Sequence, residues 1–95
     1  MGKDFAKGLD RLRVGIDATD DGIVELLARR RELVVELVKV KKSLDLPIYD
    51  RKREQALIDR VKTLGARRKL DTEFVEVLFR LIVMNSKEVQ YHEVL

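Results

Sequence analysis

The chain has no cysteine and a single histidine, so neither a disulfide framework nor a thiolate metal site can form, and zinc chemistry has too few ligands. No metal or cofactor is expected. One proline, five glycines, three phenylalanines, two tyrosines and no tryptophan among 95 residues argue against a loop-rich or β-rich protein. Long apolar runs are missing too: none approaches the ~18 residues of a membrane span. The opening residues Met1 to Phe5 lack the apolar centre of a signal peptide, so the expectation is a cytoplasmic protein without membrane contact. Charge of one sign is scarce: 20 basic against 17 acidic residues leave a net charge of +3, too balanced for a strong nucleic-acid footprint. The runs Arg29-Arg30-Arg31 and Arg67-Arg68-Lys69 are the only support for a nucleic-acid-binding helical dimer. Three consecutive residues on a helix point in three directions, so the first run is not a patch.

What the chain does have is charge of both signs (39%) and apolar residues (45%), arranged with helical period. The fold class read from this is all-α, in one domain over residues 1–95. From Leu9 a residue recurs every three then four positions (Leu9, Leu12, Ile16, Thr19, Ile23, Leu26, Arg30, Leu33, Leu37, Val40, Leu44), the seam of a long packed helix. Arg30 breaks that seam at its centre. A guanidinium keeps its charge, and burying one costs several kcal/mol unless it is paired. No Asp or Glu holds another seam position, so the anion comes from elsewhere in the fold or is a ligand.

Asp45-Leu46-Pro47 ends the first helix, because the residue before proline is pushed out of the helical region, and Asp50 can cap the next. Gly65 with the basic cluster after it closes the second, and Asp71-Thr72-Glu73 opens the third. The expected helices are about 6–44, 50–65 and 71–92. At 1.5 Å per residue the first is a rod of roughly 58 Å, whereas a 95-residue globule is only ~30 Å across. Two shorter helices cannot cover its apolar stripe, so an intertwined homodimer is expected.

Polar residues interrupt each apolar face. Arg30 and Lys41 return to within ~20° of one face, ~16 Å apart along the axis. Arg13 lies about 100° round from Arg30 and ~25 Å away; if it serves the same pocket, it comes from the other chain. On the second helix Asp50, Arg53 and Glu54 head the stripe Leu57, Ile58, Val61, Leu64. On the third, Val75, Phe79 and Ile82 lead to Ser86 and Gln90. Taken singly, the trio could be a helix start with a local ion pair, Ser86 and Gln90 a fraying end, Lys41 one of several solvated lysines, and Arg30 a structural partner of Glu54. Together they place cations, neutral donors and carboxylates on faces otherwise apolar.

Leu12-Arg13, Ile16-Asp17 with Asp20, Leu26-Leu27-Ala28-Arg29-Arg30, Val38-Lys39-Val40-Lys41, Pro47-Ile48, Asp50-Arg51-Lys52-Arg53-Glu54 and Asn85-Ser86 with Gln90 resemble the all-α class of chorismate mutase, over nearly the whole chain. The resemblance implies a homodimer acting on chorismate, a small dianion, without a cofactor. It also implies that Arg13 is donated across the dimer while Arg30, Lys41, Asp50, Arg53, Glu54, Ser86 and Gln90 line the pocket, with Arg13, Arg30, Lys41, Glu54 and Gln90 carrying catalysis. Isochorismate-pyruvate lyase shares the scaffold and is the nearest alternative; the stretch from Asp50 to Glu54 looks more like the mutases. Gly15 and Gly22 inside the first helix, each costing up to ~1 kcal/mol against Ala, and Thr19 on the seam depart from the family pattern. An intact pocket on so unusual a scaffold would suit an engineered or diversified member.

Overall fold

The computed structural model describes residues 2–94, without the side chain of Val94. Three helices follow one another: α1 (Gly2–Ser43), α2 (Arg51–Arg67) and α3 (Thr72–Val94), with no strand among the described residues. The fold is all-α, as the periodicity required. α1 begins four residues before the expected start, with Asp4 in its first turn, where a carboxylate complements the helix dipole. The chain forms two compact units that divide within α1, one ending at Glu32 and the other beginning at Leu33.

In the first unit the seam side chains are uncovered. Leu12, Ile16, Ile23 and Leu26 are all exposed, Leu26 to 71%. Thr19 tolerates its seam position because its hydroxyl donates to the Gly15 carbonyl at 2.8 Å, so it carries no unmet donor into an apolar stripe. An exposed pair between Arg29 and Glu32, at 3.4 Å, adds little stability.

The second unit holds the core. Leu57, Ile58 and Val61 of α2 meet Val75 and Val83 of α3, with Phe79 packed against them; the spacings 57, 58, 61 and 75, 79, 83 each fall on one helical face. Val34 and Val38 are the buried positions of α1 in this unit, Val38 completely. At the surface Lys62 Nζ and Arg80 Nε sit 3.0 and 2.9 Å from the two oxygens of Glu76. Lys62 foremost, then Arg80, holds that carboxyl below the usual carboxylate range.

The helix ends differ from expectation in an instructive way. Gly65 does not stop α2; it lies inside the helix, which runs to Arg67. It is there for space. A Cβ at Gly65 would stand 2.9 Å from Cγ2 of the buried Val75, so the glycine sets how closely α2 and α3 approach. The left-handed residue that ends α2 is Lys69 (φ 61°), with Lys69 N–H donating to Ala66 and Leu70 N–H to Gly65, the paired bonds of a Schellman turn. α1 ends the same way: Asp45 has φ 53°, Asp45 N–H donates to Lys42 and Leu46 N–H to Lys41. Asp71 does cap α3, its Oδ1 accepting from Glu73 N–H at 2.9 Å.

Gly65→Ala therefore tests the packing. Alanine favours a helix interior by up to ~1 kcal/mol, but overpacking a core costs about 1–3 kcal/mol, and Val75 is short, branched and enclosed. The substitution should lower the unfolding free energy by about 1–2 kcal/mol in urea titration. An unchanged or raised midpoint would show that Val75 yields freely.

Candidate active site

Lys41 lies in the last turn of α1, half-buried, and its ammonium is already held. Nζ donates to the Ile48 carbonyl at 2.8 Å and to Gln90 Oε1 at 3.1 Å. An ammonium carries three N–H bonds; two grip protein acceptors and the third meets none among the described residues. The bond to Ile48 ties the segment after Pro47 to α1, and the bond to Gln90 ties α1 to α3 across 49 residues of sequence. With its oxygen taken, the Gln90 amide presents its NH2 end as donor.

Gln90 and Ser86 are the polar residues buried on α3, at 6% and 8% exposure, which excludes the fraying-end reading of both. Ser86 Oγ donates to the Ile82 carbonyl one turn back, at 2.9 Å, which fixes the rotamer. The two residues stand one turn apart on the face that continues Val75, Phe79 and Val83.

At the start of α2, Asp50 caps the helix from extended backbone (φ −129°, ψ 100°), its Oδ1 accepting from Arg53 N–H at 3.0 Å. Its carbonyl accepts from Glu54 N–H at 3.0 Å. This cap is the local half of the reading given to the trio, and Asp50 and Arg53 are both exposed. Glu54 is different. Its side chain is 20% exposed, and it pairs with α3, Lys87 Nζ standing 2.9 Å from Oε2. Oε2 is buried and accepts no hydrogen bond of good geometry. At 2.9 Å the Lys87 contact supplies charge, not a well-directed hydrogen bond. The same ammonium lies 4.1 Å from the centre of the Tyr49 ring.

Arg13 and Arg30 belong to the first unit. Arg13 is exposed, and Arg30 is half-buried rather than enclosed. The second unit thus brings Lys41 to Gln90 and sets Glu54 against the α3 turn that holds Ser86, Lys87 and Gln90. Lys87, Tyr49 and the Ile48 carbonyl are contributors that sequence reasoning missed. Lys87 sits three residues before Gln90, beside the same face, but its pairing depends on where α2 lies against α3, which no local pattern encodes.

Elsewhere, an open groove of about 460 Å³ runs along α3 between Phe74, Val77, Leu78 and Leu81, with Asp71 and Glu73 at one end. Apolar walls and two carboxylates suit an apolar surface, not an anion. No group of three or more potential metal ligands occurs among the described residues, and no helix among them is long and apolar enough to cross a membrane.

An ammonium and a side-chain amide are thus locked together, the amide one turn along α3 from the buried Ser86 hydroxyl, in an all-α fold. Residues 12–91 match the model of the chorismate mutase type II family, and the chain belongs to that family. Over 75 residues it is 43% identical to the bifunctional chorismate mutase/prephenate dehydratase of Escherichia coli (strain K12), covering 79% of this chain and 19% of that protein. Over 82 residues it is 29% identical to the chorismate mutase of Methanocaldococcus jannaschii, covering 86% and 83%. The T-protein of Haemophilus influenzae is 32% identical over 82 residues, 86% of this chain and 22% of that protein. The chain therefore spans about a fifth of the length of the bifunctional relatives it matches. Neither the lyase nor the nucleic-acid reading is favoured by this family or these relatives.

Proposed function

We propose that this chain rearranges chorismate to prephenate. The observation that carries the reading is the Lys41 to Gln90 contact: a half-buried cation and a buried amide held together, with N–H bonds of both left over from their contacts with the protein. The rearrangement is pericyclic. The ether C–O bond breaks while a C–C bond forms, with no net proton transfer, no redox change and no covalent enzyme intermediate. Negative charge grows on the enolpyruvyl oxygen in the transition state. An enzyme for this step needs to select the compact, chair-like conformer and meet that charge with donors already in place.

Lys41 and Gln90 donate to the ether oxygen. Because both are fixed before substrate arrives, little reorganisation opposes charge development. Glu54, its buried Oε2 set against Lys87, accepts the ring hydroxyl on its other oxygen, helped by the backbone at Asp50. Arg30 and, from a second chain, Arg13 clamp the two carboxylates, where a guanidinium can bond each in bidentate fashion. Arg53 and Ser86 complete the carboxylate surroundings. The roles of the two arginines rest on the sequence resemblance.

The same reading makes the protein a homodimer. Its support is the exposed seam of α1, where Leu12 (68%) and Leu26 (71%) stand open to solvent in the first unit, and, within the second unit, the apolar groove on α3. Exposed apolar surface of this kind marks an interaction face. The unfolding midpoint should therefore rise with protein concentration, by about 1.4 kcal/mol of stability per tenfold increase. Light scattering showing a folded monomer at micromolar concentration would contradict it. The activity itself is tested by following the loss of chorismate absorbance at increasing protein concentration. A rate no different from the uncatalysed one would refute the proposal.

A further inference from the structure

Glu54 raises a difficulty for a pocket that receives a dianion. A carboxylate four-fifths enclosed is costly unless paired, and a flexible one would turn to whichever donor is nearest. Lys87 answers both points. Its Nζ stands 2.9 Å from Glu54 Oε2 and 4.1 Å from the Tyr49 ring centre, so the ammonium is caught between a carboxylate and an aromatic face. The ring's attraction for a cation fixes Lys87, and Lys87 in turn fixes Glu54. The ammonium balances the charge at the buried Oε2, and Oε1 stays open as an acceptor.

From this we infer that Lys87 is a positioning residue of the proposed mutase site: resting on Tyr49 and paired with Glu54 through Oε2, it holds the carboxylate so that its other oxygen, Oε1, accepts the substrate hydroxyl. The inference rests on the functional reading above and deepens it. Lys87 touches no reacting atom. It acts through Glu54, and a double-mutant cycle separates that role from direct attraction of a dianion. Coulombic attraction by Lys87 persists whether or not Glu54 is charged, whereas positioning vanishes once Glu54 is replaced.

The test measures kcat and KM for chorismate in the full chain as wild type, Lys87→Met, Lys87→Arg, Glu54→Gln and Lys87→Met/Glu54→Gln. Lys87→Met should lower kcat/KM about tenfold, mostly through KM, since a hydroxyl contact is made in ground and transition states alike. In the Glu54→Gln background the same substitution should change kcat/KM by less than about twofold. Lys87→Arg, which keeps a cation able to lie on Tyr49, should retain most of the activity. Should Lys87→Met fold poorly, Tyr49→Leu frees the ammonium without removing it and should raise KM several-fold. An active wild type with Lys87→Met unchanged, with equal losses in both backgrounds, or with no recovery in Lys87→Arg overturns the positioning role alone. An inactive wild type overturns the functional reading and this inference with it.

Discussion

Arg13→Ala and Arg30→Ala should each nearly abolish turnover as homodimers, and the two inactive proteins should restore each other when unfolded together and refolded. Each substitution removes one carboxylate clamp from every site, and losing such a donor costs about 3 kcal/mol or more, at least a hundredfold in rate. If each site takes Arg13 from one chain and Arg30 from the other, a mixed dimer has one site with both substitutions and one with neither. About half the dimers in an equal mixture are mixed, so activity should return to about a quarter of wild type. Were both arginines supplied by one chain, every site would still lack one of them. Confirmed heterodimer without recovered activity would refute the shared site.

Gln90→Glu should be nearly inactive at neutral pH and recover toward acid. A carboxylate at position 90 would lie beside the Lys41 ammonium, the amide oxygen now being 3.1 Å from Nζ, and an adjacent cation favours its charged form. In that form it can only accept, so the donor to the ether oxygen is lost and Lys41 is drawn into an ion pair. Two donors fail together, and kcat/KM should drop at least about a hundredfold. Protonation returns one donor, so the loss shrinks as pH falls toward the carboxyl's own titration. Profiles of kcat/KM against pH for wild type and variant check this; a flat profile at the wild-type rate would exclude Gln90 as a donor.

Much of the fold was legible because it depends on near neighbours. The helical period, the caps at Asp50 and Asp71, and the break before Pro47 are all set within a few residues. The faces of Ser86 and Gln90 followed from period as well, and both residues are buried. What was not legible depends on distant segments. Gly65 reads as a helix stop by composition, yet its cause is Val75 of the next helix. Asp45 and Lys69 adopt the left-handed conformation usually left to glycine. Asp tolerates it better than most; nothing in the sequence around Lys69 explains its choice. Lys87 went unnoticed because its value lies in Glu54 and Tyr49, 33 and 38 residues earlier, which meet it only when α2 is laid along α3.

The most direct test of the account is the identity of the product. Purified protein incubated with chorismate, and followed by proton NMR, should convert it to prephenate in equal amount, at a rate proportional to protein and with no pyruvate released. Chorismate that decays at the uncatalysed rate, or that disappears with formation of pyruvate, would contradict the proposal that this helical pocket performs the mutase rearrangement.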